Sequence, residues 1–182
     1  TSSTARPPNL LLAALPPSER QQLEADLEWV ALPQGKMLYE AGGVLSHVHF
    51  PSNAVVSLVS SMKGGASVEV AVVGNEGVVG VCAFMGGGRA LSGAVVQSGG
   101  HALRMSARAI AWHASHSDAF MQKLLCYTQA LFTHMAQTSA CNRHHELDQQ
   151  LCRWLLLNLD RRNGNEVTVT HGSQQALELL AR

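Results

Sequence analysis

Apolar and small neutral residues recur at alternating steps of four and three along the second half of the chain, at Leu124, Thr128, Leu131, Met135, Thr138, Asn142 and His145. The spacing predicts one long amphipathic helix over 117–145, about 40 Å long at 1.5 Å per residue. A helix of that length on so small a chain calls for a second copy of itself, so the stripe is expected to be a coiled-coil seam in a homodimer. A separate face, Phe120, Leu125, Phe132 and Ala136, is expected to lie on the chain's own sheet. The alternative for the first stripe is ordinary core packing in a monomer.

Upstream the rhythm differs. Asn9 followed by Leu10, Leu11, Leu12 and Leu15 predicts a short helix, and Pro16-Pro17-Ser18 restarts the chain into a second helix ending about Trp29. From Ala31 to Met105 short Val-rich runs alternate with Gly, Pro, Asn and Ser, predicting strands at 37–40, 48–50, 55–60, 68–73, 78–82, 94–97 and 101–105. That cadence is an antiparallel sandwich or barrel, and with the helices it makes an α+β chain. Ser106 to His116 predicts a helix. Beyond the long helix come a joint near Glu146, a helix from Asp148 through Leu159, a turn at Asn163-Gly164-Asn165, an edge strand at Glu166–Thr170 and a short helix at Gln174–Arg182.

Composition narrows the partners. Apolar residues make up 46% of the 182, ample for a core, and thirteen basic residues balance thirteen acidic ones. Neutrality gives no electrostatic case for this segment meeting nucleic acid or an anionic membrane. Cys82, Cys126, Cys141 and Cys152 are widely spaced with no CxxC, which points to a reduced protein. No run of about twenty apolar residues and no signal peptide is present, so the protein is read as cytoplasmic. The chain begins with Thr1, as a processed protein or a fragment would.

The order of motifs resembles the Crp/Fnr family of bacterial transcription regulators. Carrying the match are Leu32-Pro33-Gln34-Gly35 with Leu38 and Gly42, His49-Phe50-Pro51, Val55-Val56-Ser57-Leu58, Gly74-Asn75-Glu76-Gly77-Val78-Val79-Gly80, Val95-Val96-Gln97, and the segment from Leu147 to Leu156. The resemblance implies an antiparallel β-roll (a double-stranded β-helix or jelly roll) with N-terminal helices and a long C-terminal dimerisation helix. It implies a cyclic nucleotide-binding-like sensor over 9–116, a dimerisation helix over 117–145, and at 146–182 the start of a truncated winged helix-turn-helix domain. Such a chain would sense an effector in its β-roll and relay it through the long helix to a DNA-binding domain mostly absent here.

By the same resemblance, Glu76 and Gly77 match the pair that holds a ribose hydroxyl. The Arg-Ser or Arg-Thr pair that neutralises a cyclic phosphate falls on Ser92-Gly93, so the guanidinium is missing. Arg89, after Gly86-Gly87-Gly88, is a candidate substitute, or simply a solvated loop residue. Thr138 and Ser139 resemble the positions that reach the effector base, with seam packing as the plainer reading. A cyclic nucleotide, a dinucleotide messenger, another small anionic effector or no ligand at all all remain open.

Other chemistries are less well supported. His47-x-His49 offers half of a cupin-like metal site, but no acid follows in 50–58 and no His accompanies Glu69, so no metal is assigned. His113 and His116 share a helix face expected to be exposed. No catalytic motif stands out, and the chain is not read as an enzyme. Gly172-Ser173-Gln174-Gln175 departs from the family pattern, and a recognition helix would lie beyond Arg182. Operator DNA is therefore expected as a partner only of a full-length parent. The other reading is a stand-alone β-roll dimer that sequesters relatives without binding DNA.

Overall fold

The computed structural model describes residues 7–61, 67–144 and 146–161. Two short helices, α1 (Leu10–Ala13) and α2 (Pro17–Glu24), precede seven strands: β1 (Glu28–Leu32), β2 (Met37–Tyr39), β3 (His47–Pro51), β4 (Val55–Ser61), β5 (Ser67–Val73), β6 (Gly93–Ser98) and β7 (Gly100–Ser106). Helices α3 (Ala107–His116), α4 (Asp118–His144) and α5 (Leu147–Asp160) follow. The strands form two antiparallel sheets, β1-β7-β3 and β2-β6-β4-β5. The β-roll expected from the sequence is thus borne out.

The first sheet has a core on each face. Val48, Phe50 and Met105 pack with Leu11, Leu12 and Leu23 of the first helices, Ile110 of α3, and Phe120 and Leu124 of α4. Ala102, on the opposite face, joins Val56, Leu58, Ala71, Val73, Ala94 and Val96 of the second sheet, and Leu131 of α4 closes this cluster. Alternation of inward and outward positions along β3 and β7 is what separates the two cores. Helix α4 spans both.

Local chemistry accounts for the boundaries. The Ser106 side chain accepts from the Ala109 amide and starts α3, as its N-cap position predicts. Glu146 caps α5 in a capping box with Gln149, so that helix begins at Leu147, one residue before the expected Asp148. Gly35 and Gly42 adopt φ of 79° and 78°, left-handed turns between short strands that glycine takes without strain.

Four expectations need correction. The second helix ends at Glu24, and Glu28–Leu32 is strand β1, held on β7 with Trp29 stacked on His101 at 5.2 Å. The run 78–82 is no strand: Val79 makes a single bridge to His49, and Gly80 at φ 101° turns the chain into a 3-10 turn at Val81–Ala83. His113 is buried, its Nε2 2.8 Å from an Asp26 carboxylate oxygen, and not exposed beside His116. The fourth concerns the faces of α4. Leu124, Thr128 and Leu131, expected to meet a partner, are buried at 0, 3 and 5% exposure, and Met135 packs on the second core. Of the face expected on the chain's own sheet only Phe120 is buried; Leu125 and Phe132 are 51 and 46% exposed, and Ala136 is exposed. Stripes one residue apart share the same four-three spacing, so periodicity alone could not choose between them. The expected turn, strand and helix at 163–182 lie outside the described residues, as do the side chain of Asn142 and residue His145.

Candidate functional site

The turn after β5, Gly74-Asn75-Glu76-Gly77, is held from three sides. Asn9, the N-cap of α1, donates from Nδ2 to the carbonyls of Pro51 (2.8 Å) and Gly77 (2.9 Å), while its Oδ1 accepts from the Leu12 amide. The Leu10 amide donates to the Asn75 carbonyl at 2.7 Å. On the far side lies Tyr127 of α4. A Cβ added to Gly77 would sit 2.2 Å from its ring, so only glycine lets the helix approach this closely.

Glu76 points from this turn toward α5. Its Oε1 accepts from the Gly74 amide at 3.2 Å and from Arg161 Nε at 2.9 Å; its Oε2 is buried with no hydrogen-bond partner. Arg161 also donates from Nη1 to the Leu157 carbonyl, which ties the guanidinium to the end of α5. Gly74 makes room, since a Cβ there would lie 2.5 Å from the Arg161 Cβ. Nearby, Glu69 on β5 accepts from Ser57 Oγ at 2.5 Å and from Trp154 of α5, and burial raises its pKa against those bonds.

The inward face of α4 adds polar groups without partners, His134 Nε2 and Thr138 Oγ1. His134 is lowered to a pKa of about 4, first by burial and then by the charges of Arg161 and Arg153. Burial, with the negative charge of Glu76 nearby, holds the Tyr127 hydroxyl well above its ordinary value. The site therefore has a carboxylate with a free oxygen, a neutral imidazole, a hydroxyl and a guanidinium. It can exchange hydrogen bonds with a polar ligand wherever Arg161 gives way.

The structure brings together some of the residues singled out from sequence. Glu76 and Gly77 meet α4 and α5, and Thr138 lies on the inward face of α4, whereas Ser139 is exposed. Arg89 is elsewhere: exposed, it donates to the Gly42 carbonyl at 2.9 Å. Ser92 and Gly93 lead into β6 and supply no cation. The guanidinium missing from that position is provided at Glu76 by Arg161, 85 residues away in sequence. No motif marked Arg161, Tyr127 or His134. The one usable signal was the position of Tyr127 beside the inward stripe of the long helix. Among the described residues no three His, Cys, Asp or Glu side chains are placed to share a metal ion, so the cupin-like reading lacks its third ligand. None of the helices among them is long and apolar enough to cross a membrane.

This β-roll closed by a long helix, with the Gly74-Asn75-Glu76-Gly77 turn beneath that helix, has the fold of cyclic nucleotide-binding sensor domains, and the resemblance to Crp/Fnr-type regulators holds at the level of fold. Solved structures that share it include the c-di-GMP responsive global regulator CLP of Xanthomonas campestris, at 9% identity and a TM-score of 0.63 over 90% of this chain and 84% of that one. The catabolite activator protein of Thermus thermophilus is 16% identical, with a TM-score of 0.59 over 94% of this chain and 86% of that one. The N-terminal domain of a transcriptional regulator from Streptomyces coelicolor is 18% identical, with a TM-score of 0.53 over 72% and 92%. No family model and no curated protein matches the sequence.

Proposed function

We propose that this chain is the effector-sensing and dimerising part of a Crp/Fnr-type transcription regulator, with a small anionic effector, such as a cyclic nucleotide, bound at Glu76. The observation that carries the reading is the Glu76–Arg161 pair. The carboxylate that would hold the ligand is engaged by the end of α5, the helix that in such regulators leads toward the DNA-binding domain. A ligand that takes Glu76 Oε1 displaces Arg161, so occupancy of the turn and position of α5 are two sides of one equilibrium. Homodimerisation falls to the outward stripe of α4, where Leu125, Gln129, Phe132, Ala136 and Ser139 are exposed at four-three spacing. Operator DNA would be a partner of a full-length parent.

Calorimetric titration with cyclic AMP, cyclic GMP and c-di-GMP tests this. One of them should bind saturably, lose binding in Glu76→Ala and bind more tightly in Arg161→Ala, because the competent state is then more populated. Silence from all three in both the parent and Arg161→Ala would remove the cyclic nucleotide from the proposal.

A further inference from the structure

A cavity of about 210 Å³ opens elsewhere in the roll, lined by Lys36, Tyr39, Ser46, His47, His49 and Arg104 together with apolar side chains. None of Glu76, Gly77, Arg89, Ser92, Gly93, Thr138 and Ser139 lines it. His49 and Arg104 are directly paired across β3 and β7, so their side chains leave the same face of the sheet. Both carry a buried nitrogen with no hydrogen-bond partner, His49 Nδ1 and Arg104 Nε, and the His49 residue is 8% exposed. An unpaired buried donor is costly: Arg104 Nε–H is one, and His49 Nδ1 is a second whenever it carries the proton, so the pocket is incomplete without an acceptor.

The electrostatics say which acceptor. Lys36 and Arg104 bring two cationic side chains, the His47 and His49 imidazoles stand beside them, and no Asp or Glu is among the lining residues. Glu28 binds Arg104 from outside the cavity, through Nη2 at 2.5 Å, and leaves Nε free. Arg104, His47 and Lys36, after burial itself, lower His49 to a pKa of about 4, so the imidazole is neutral at pH 7 in a surplus of positive charge.

We propose that this cavity is a second ligand site, separate from Glu76, that binds a small dianionic oxyanion of the phosphate type between Arg104 Nε, His49 Nδ1 and the Lys36 ammonium. Charge-assisted bonds to Arg104 and Lys36 fix the anion, and its charge draws a proton onto His49, which then donates from Nδ1.

The test is titration of the full chain with inorganic phosphate, and in a parallel arm with glycerol 3-phosphate, followed by the histidine ring resonances and by calorimetry, with chloride at matched ionic strength as control. His49 should shift saturably with phosphate and not with chloride, and its pKa should rise. Arg104→Gln should weaken binding by about tenfold or more, exposed Lys36→Gln should weaken it without affecting folding, and Glu76→Gln should leave it unchanged. Binding of the ester alone would identify an organic phosphate as the ligand. No saturable shift in either arm, or affinity unchanged from the parent chain in both Lys36→Gln and Arg104→Gln, would overturn the proposal; should Arg104→Gln fail to fold, Lys36→Gln decides. Loss of phosphate binding in Glu76→Gln would place the anion at the first site and overturn it as well.

Discussion

Replacing Phe132 by Glu and, separately, Leu131 by Ala distinguishes the two faces of α4, because the residues are neighbours in sequence and opposite in environment. Phe132 is 46% exposed, and a fully buried aromatic side chain covers about 200 Å². Burying its remaining ~90 Å² in a seam at about 25 cal/mol per Å² is worth roughly 2 kcal/mol in each protomer. Two copies give roughly 4–5 kcal/mol, so even truncation to Ala should weaken the dimer by about a thousandfold, and Glu adds the cost of an unpaired charge. Leu131 is 5% exposed within the second core, where Leu→Ala costs about 2–5 kcal/mol of folding stability. Sedimentation velocity over a concentration series should show Phe132→Glu as a folded monomer. Urea unfolding should show Leu131→Ala as markedly less stable but still dimeric at high protein concentration. A Phe132→Glu chain that remains dimeric, or a Leu131→Ala chain of parental stability that falls to monomer, would refute the assignment of the outward stripe as the seam.

Other perturbations probe the interior. His49 has a folded pKa of about 4 against an ordinary 6.5. The unfolded chain therefore binds its proton first, and stability present above pH 6.5 is lost as pH falls toward 4, by about 3 kcal/mol in total; urea unfolding in phosphate-free buffer should show this, and His49→Gln should flatten the slope. Gly77→Ala should cost about 1–3 kcal/mol by overpacking the Tyr127 ring, and Tyr127→Leu in the same chain should recover part of it; strict additivity in a double-mutant cycle would show that the two do not touch. Arg161→Ala should cost only about 1 kcal/mol of stability, since the Glu76 side chain is 36% exposed, yet change Trp154 fluorescence as α5 loosens. An unaltered spectrum would show that Arg161 does not hold α5 in place.

The sequence pattern revealed elements whose signals are local. Ser106 before an amphipathic run marked α3, and a sustained four-three stripe marked α4. Strand β1 was hidden because Glu28-Trp29-Val30-Ala31-Leu32 follows a helix without a Gly or Pro between them, and its pairing partner lies some seventy residues on, as in Glu28 with Arg104. Residues 78–82 have strand composition, but Gly77 precedes them and Gly80 interrupts them at φ 101°, and the chain turns there instead. The site divides in the same way. Glu76 and Gly77 belong to a contiguous motif and could be read, whereas Arg161 reaches them only through tertiary packing, and no residue near it in sequence shows what it will pair with.

The absence of slack between Gly77 and Tyr127 has a mechanical consequence. With its ring lodged where a methyl group would not fit, Tyr127 acts as the fulcrum of a lever whose longer arm runs past Leu131 and Met135 to His144. That arm of seventeen residues is about 25 Å long. A tilt of about five degrees at the turn, too small to disturb the two cores, would then carry its far end by about 2 Å, the scale on which helices shift at subunit interfaces. The small turn below the helix is thus geared to the end of α4 that adjoins α5.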